Sequence, residues 1–514
     1  MSVANQSMRA TLGDREKAAS DEIGPDEEKE FAVERPDPGS IDLSRYEIDP
    51  VLEKRVVRKL DWRFTPLVAW LFLLSFLDRS NIGNAETAGM QKDLNLSSGD
   101  YAWLLTIFYI GYILFEPLVL MWKVVPPHIW ATFVVFGWGI VATLQATTMT
   151  WSGMMACRFF LGAVEAGFGP GVPFLLSFFY LRHEVGLRIG LFFCAAPLAN
   201  TFAGALAYGI TSGQSKLANW RLLFLVEGLP TLIMVPMTFY FLPDSPDKAR
   251  FLTEEEKAIA KARGVKQVGG TKRIGSINWK DVALALKDPK CWITALMYFS
   301  CNVSYSSLPV FLPTILSQMG FGSVNAQGLT APPYFLSFLL TIATTFIADK
   351  TQQRGIMVIV LSCIGGIGYI LLATVETVGV RYFGIWLAAA GIFPAIANIL
   401  PWVTNNQGSD TRRGVGIMLL NLIGQCGPLL GTNIFPGTDK PRYIKGFSIC
   451  AAFIFFNGFL ALTLRTLLVW ENKKLDKKYG TKDEVLARRA QETSKAEAVH
   501  EAEENYGELF RYVL

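Results

Sequence analysis

The chain has 514 residues, of which 51% are hydrophobic and 18% charged, with a mean hydropathy of +0.31 and a formal net charge of +4. So much apolar surface exceeds what one soluble core hides, so lipid must cover part of it, and so small a net charge offers nucleic acid no basic platform. Seven cysteines without a CxxC pair and three histidines without a cluster suggest neither a disulfide frame nor a metal knuckle, and no cofactor or metal is expected.

Residues 1–55 are polar and acidic and read as a disordered cytosolic tail with no signal-peptide core. The first apolar span starts near Trp62, behind the basic flank KRVVRKLDWR, and ends at about Leu77. Further spans lie near 101–122, 129–148, 153–176, 187–211 and 221–242, which closes an N-terminal unit over residues 56–242. Residues 243–290 form a charged cytosolic linker, in which Thr253 and Glu256 make a capping-box pattern ahead of a short amphipathic helix. Six more spans near 291–316, 329–348, 356–375, 382–403, 412–435 and 446–470 fill a second unit over residues 291–470, and residues 471–514 form a second cytosolic tail.

The expected fold is an all-α polytopic membrane protein with 12 transmembrane helices in two six-helix bundles. An even number of spans puts both termini on one side. Lys and Arg divide evenly over the short loops, so the basic flanks and the central segment assign that side to the cytosol. The two bundles around a charged linker form the layout in which carriers rock about a midplane site.

Charge inside apolar spans is a functional signal. Arg158 and Glu165 share one stripe of RFFLGAVEAGFGPG, seven residues apart and so about 10 Å along the helix axis, too far for direct pairing. In a low-dielectric site a Glu165 carboxyl is suited to binding and releasing a proton, while a packing network is the structural alternative. Arg79 offers a permanently charged, planar fork for a carboxylate. A local pair with Asp78, or a place in the interface at the outer end of the span, is its alternative. Glu116 and Glu227 are weaker candidates, near a span end and within the sixth span. Asn302, Tyr305, Asn398 and Asn421 in the second unit can serve either a substrate or interhelical packing.

Four segments carry a resemblance: FLDRSNIGNAETAG, CRFFLGAVEAGFGPGV, WRLLFLVEGLPTLIMVPMTFYFLPDSPDKARFLTEEEK and VFLPTILSQMGF. Together they resemble the fungal anion:cation symporters of the major facilitator superfamily over roughly residues 50 to 480, and GVRYFGIW and DKPRYIKGFS resemble the allantoate and nicotinate permease branch. The resemblance implies proton-coupled uptake of a small organic anion, such as a nicotinate-, allantoate- or vitamin-like carboxylate, across the plasma membrane. It implies substrate contact at Arg79 and proton coupling through Glu165, Arg158 and Asp78. Its inner-gate turn matches ADKTQQRG, with Asp349, Lys350 and Arg354 as gating charges, although Thr345 stands where the pattern has glycine and the equivalent first-half loop keeps only Lys123.

The expected partners are the carboxylate, a proton and the lipid bilayer, with the chain acting as a monomer. Asn95 in NLSS lies in the first outer loop and is an N-glycosylation acceptor. No P-loop, GxSxG or HExxH pattern supports an enzyme. Export of a fungal secondary metabolite is the rival reading and a nutrient sensor a weaker one. The fifth span lacks the glycine-proline-glycine-glycine cluster of many drug exporters, which favours uptake.

Overall fold

The computed structural model describes residues 49–213, 215–268, 279–407, 410–492, 508 and 510–514, and residues 1–48 of the expected N-terminal tail lie outside them. Among the described residues, twelve long helical elements cross the body of the protein. In the first half these are α1 (Thr65–Ala85), α2 (Ser98–Phe115), α3 (Pro127–Leu144), α4 in two pieces (Trp151–Glu165 and Gly171–Phe179), α5 in two pieces (Arg182–Phe193 and Ala195–Ser212) and α6 (Asn219–Phe241). In the second half they are α7 (Pro289–Gln318), α8 (Ala331–Thr351), α9 (Arg354–Thr374), α10 (Val378–Asn405), α11 in two pieces (Asp410–Gly424 and Cys426–Gly431) and α12 (Ile444–Tyr479). Packing is densest within each half, and α1–α6 and α7–α12 form two bundles.

Ten helices among the described residues are long and apolar enough to span a membrane. The other two have local reasons to fall short. α4 breaks between Glu165 and Gly171 at the Gly167, Gly169, Pro170 run, leaving pieces of 15 and 9 residues. α7 carries Ser300, Asn302, Ser304, Ser306 and Ser307 along its length, all buried between helices.

Helix starts follow the local chemistry. The Thr150 hydroxyl accepts from Gly153 N at 3.2 Å to open α4, and Ser97 and Asp100 cap α2 reciprocally at 3.1 and 2.9 Å. One boundary needs correcting: a helix runs from Pro50 to Arg63, so residues 50–55 are not tail. Asp49 caps it by accepting from Val51 N at 2.8 Å, and Pro50 at the first position is already fixed in φ. A second correction concerns the first span, which continues past Leu77 to Ala85. Asp78 and Arg79 therefore sit inside a helix and not at its end.

The face that carries the Pro50–Arg63 and Glu254–Val268 helices is called the linker face. There Arg263 pairs with Glu53 at 2.9 Å and Glu184 at 2.5 Å, and Arg188 forks onto both Asp61 oxygens at 2.9 and 2.6 Å. The capping box forms as the spacing indicates: Thr253 N donates to Glu256 Oε2 at 2.9 Å and Glu256 N to Thr253 Oγ1 at 3.4 Å. Lys59 Nζ adds a bond to Glu256 at 2.7 Å, tying the two linker-face helices together.

The bundles meet where side chains are smallest. A Cβ at Gly83 of α1 would collide with the Val310 backbone of α7, and one at Gly190 of α5 with Thr345 of α8. Thr345, in place of the pattern's glycine, thus packs on a glycine of the facing helix. On the far face, Thr314 donates to Glu86 at 2.8 Å and Thr106 meets Thr432 at 3.2 Å. Both ends of the space between the bundles are therefore in contact.

Burial opposes ionisation of Glu256, but its bonds to Lys59 and Thr253 outweigh this and hold the carboxyl below its ordinary value of 4.5. A depressed carboxyl stabilises the fold above its unfolded value, and the gain fades as pH falls through the folded one. Glu256→Gln keeps the capping box but loses the charge pairing with Lys59, and should cost up to about 1 kcal/mol at pH 7, seen as a lower melting temperature of the purified protein, and the gap should close as the pH is taken below 4.5.

Candidate functional site

A small cavity lies between the bundles. From the first bundle it is lined by Phe72 and Arg79 of α1, Tyr109 and Tyr112 of α2, Gly169 and Pro170 at the α4 break, and Phe193 of α5. The second bundle contributes Tyr298, Asn302, Tyr305 and Ser306 of α7, Leu400 of α10, and Asn421, Gln425 and Pro428 of α11. Arg79 is the one cation among these residues.

Arg79 is held from several sides. Its Nε and Nη2 donate to the same oxygen of Glu165, at 3.2 and 2.8 Å. Its guanidinium lies 5.0 Å from the ring centres of both Phe108 and Tyr112, which adds cation–π attraction. The approach of α4 to α2 makes this possible: Gly162 sits against the Phe108 backbone with no room for a Cβ. The Glu165 side chain is fully buried, whereas that of Arg79 keeps 13% exposure. The arginine is thus the accessible half of the pair.

Arg158 takes a different role. Its Nη2 donates to the Arg79 carbonyl at 3.3 Å and its Nε to the Leu104 carbonyl at 3.5 Å, and its guanidinium lies 5.1 Å from the Phe108 ring centre. It does not pair with Glu165, in accord with their spacing along the helix. Asp78 does not pair with Arg79 either; it accepts from Thr231 of α6 at 3.0 Å. The second oxygen of Glu165 has no hydrogen-bond partner among the described residues, and neither oxygen of Glu116 or Glu227 has one. Glu116 opens a 3₁₀ turn at Pro117 where α2 stops, and is buried against the second bundle's α11 side.

The polar residues expected in the second bundle separate into two groups. Asn302, Tyr305 and Asn421 line the cavity. Asn302 also donates to the Gly424 carbonyl at 3.1 Å, the Asn421 amide returns to Ile417 O at 2.9 Å, and the Tyr305 hydroxyl is buried with no hydrogen-bond partner among the described residues. Asn398 is fully buried outside the cavity lining and donates to the Pro394 carbonyl of its own helix at 2.9 Å. Tyr109, Tyr112, Tyr298 and Gln425 carry little signal in the sequence, where tyrosines and a lone glutamine within apolar spans read as packing residues. Their spacing holds the clue: Tyr109, Tyr112 and Glu116 share one face of α2 and its extension, and Tyr298, Asn302 and Tyr305 share one face of α7.

At the linker face the residues expected at the inner gate partly assemble. Arg354 is fully buried and pairs with Asp349, whose other oxygen accepts from Leu187 N of α5 at 3.2 Å across the two bundles. Lys350 lies exposed at the end of α8. Asn95 is exposed in the turn before α2, in the left-handed region at φ 51°.

The sequence pattern of the Major Facilitator Superfamily matches residues 68–432. The high-affinity nicotinic acid transporter of Saccharomyces cerevisiae is 32% identical over 424 residues, covering 82% of this chain and 79% of that protein. An MFS-type transporter of Penicillium expansum, cnsO, is 33% identical, covering 84% of this chain and 88% of its own. The proton:xylose symporter XylE superposes with a TM-score of 0.59 at 15% identity, covering 82% of this chain and 96% of that one. The human organic anion transporter MFSD10 does so with 0.57 at 14%, covering 80% and 100%. With two helical bundles around a central cavity and a family pattern over most of its length, the chain belongs to the major facilitator superfamily and is a membrane transporter.

Proposed function

We propose that the chain takes up a small organic anion, a nicotinate-, allantoate- or vitamin-like carboxylate, together with a proton across the plasma membrane. The carrying observation is the Arg79–Glu165 pair, which presents a guanidinium to the cavity and withholds the carboxylate from it. An incoming carboxylate is a bidentate partner for Arg79 and competes with Glu165 for it. Once Arg79 turns to the substrate, Glu165 is a buried carboxylate without its counter-charge, and a proton restores neutrality. Anion and proton then cross as a neutral set.

The lining suits such a substrate. Tyr109, Tyr112, Tyr298 and Tyr305 give a planar acid flat surfaces, and Asn302, Asn421 and Gln425 supply donors and acceptors away from the carboxylate. The similarity to the yeast nicotinic acid transporter supports the substrate class. Arg158 serves as a positioning residue, fixing the Arg79 backbone, and Asp78 braces α1 against α6. In this reading the linker face is cytosolic, both termini are on that side, Asp349 and Arg354 close the inner gate, and Asn95 is exposed outside for glycosylation.

The test is uptake of labelled nicotinate, with allantoate and pantothenate alongside, in yeast lacking its own carriers, at outside pH 5 and 7. Uptake should be faster at pH 5 and abolished by a protonophore, and Glu165→Gln should lose the pH dependence. If none of the three acids enters while the protein is present at the surface, uptake of these substrates is wrong and export becomes the reading to pursue.

Arg79→Lys keeps the charge but loses the fork, and should raise the apparent KM about tenfold or more with normal surface amounts. Asn398→Ala should leave KM unchanged and lower the melting temperature, whereas Asn421→Ala should raise KM; the reverse pattern would move the site to α10.

A further inference from the structure

On the linker face of the second bundle, residues 510–514 lie in a clasp built from the ends of α7, α9, α10 and α12. Two asparagine side chains read the backbone of this segment as a paired strand would. Asn406, the residue that caps the C-terminal end of α10, accepts from Val513 N at 2.8 Å and donates to Val513 O at 3.0 Å. Asn472 of α12 accepts from Tyr512 N at 2.8 Å and donates to Tyr512 O at 2.9 Å. Trp402 Nε1 gives Val513 O a second donor at 2.8 Å, and Gly355 N at the start of α9 donates to Leu514 O at 3.2 Å. Backbone pairing of this kind fixes register with little regard to sequence.

Side chains add selectivity. Arg511 bonds Asp476 of α12 at 2.6 Å and the Gly480 carbonyl at 2.5 Å, at the point where α12 ends. Lys290 at the start of α7 lies 5.0 Å over the Tyr512 ring and is held by Asp288 and Glu471, each at 3.1 Å. Phe510 is buried, and its ring meets that of Tyr512 edge-on at 5.0 Å. The segment thus joins four helix ends that no single loop connects.

One of those contacts adjoins the gate. Gly355 follows Arg354, which pairs with Asp349, which in turn accepts from Leu187 N of the first bundle. Gly186, beside Leu187, has no room for a Cβ because Arg354 and Asp349 occupy that space. The first turn of α9 is therefore held between the docked segment on one side and α5 of the other bundle on the other. Opening the linker face has to break the Asp349–Leu187 contact, and the segment holds the second bundle's half of that contact in shape.

We propose that the linker-face end of the second bundle is a peptide-binding clasp whose occupant is residues 510–514 of this same chain, and that occupancy keeps the Asp349–Arg354 gate closed on α5. Release of the segment loosens the first turn of α9 and lets the linker face open more often. The device works whatever the substrate is, and its failure leaves the uptake reading untouched.

Hydrogen exchange read by mass spectrometry on the purified full chain tests it without substrate. The amides of Tyr512, Val513, Gly355 and Leu187 are each a donor in the contacts above. In the unmodified protein the 510–514 peptide and the first turn of α9 should exchange at least tenfold more slowly than in Arg511→Asp, which undocks the segment without altering a membrane helix. In Arg511→Asp the peptide containing Leu187 should also exchange faster, while peptides of α3 stay unchanged. Adding Asp476→Arg to Arg511→Asp recreates the pair with its charges exchanged and should restore both protections. Unprotected exchange of 510–514 in the unmodified chain would overturn the docking, and unaltered exchange at Leu187 after undocking would overturn the link to the gate. A loss of protection spread equally through α3 would also overturn it, since the segment would then serve global stability and not the gate.

Discussion

An arginine in a membrane interior needs a counter-charge, and the arrangement of the first bundle follows from where Arg79 finds one. Its partner is Glu165, 86 positions away in sequence, and bringing the two together requires α1, α2 and α4 to pack closely enough for a glycine, Gly162, to rest on the Phe108 backbone. The break in α4 after Glu165 then turns the chain aside at Gly167–Pro170, so that the cavity begins where the ion pair ends. The Phe108 ring lies 5.0 Å from the Arg79 guanidinium and 5.1 Å from that of Arg158, one aromatic ring attractive to both cations.

In the proposed uptake, the same pair lets coupling and binding share one group. A buried ion pair contributes little net stability, because desolvation offsets the attraction, yet breaking it by removing one partner is costly. A substrate carboxylate that takes Arg79 must therefore be accompanied by something that neutralises Glu165, and a proton is the smallest such species. Beside Asp78, Glu165, Arg79 and Arg158, the carboxyls of Glu116 and Glu227, buried without hydrogen-bond partners among the described residues, make the interior of the first bundle richer in acids than in bases. Such a setting resists adding a further negative charge unless protons come with it.

Much of the fold was legible in the sequence because lipid imposes a plain rule: long apolar runs separated by short polar ones. The rule fails where function requires polarity. In the sequence the first span ends at about Leu77, because Asp78, Arg79, Ser80 and Asn81 look like an interface, although their helix continues to Ala85 with all but Arg79 buried against neighbours. Glu165 and Arg158 stood out as charges in apolar surroundings, and their spacing correctly denied them a mutual bond. Spacing along one helix says nothing about a partner on another, so the Arg79–Glu165 bond was out of reach. Helix rotation was equally hidden: Asn398 and Asn421 look alike in sequence and each donates to a carbonyl of its own helix, yet only Asn421 lines the cavity. The clasp around residues 510–514 had no signal either, since asparagine side chains that read a backbone leave no pattern in the segment they hold.

The most direct test of the account is proton binding on addition of substrate to the purified transporter. Nicotinate would be added to weakly buffered protein at pH 7 and the pH followed. Uptake of about one proton per bound anion, absent in Glu165→Gln although that variant still binds the anion, is the predicted result. Binding without proton uptake, or the same uptake in Glu165→Gln, would contradict the claim that substrate and proton divide the Arg79–Glu165 pair between them.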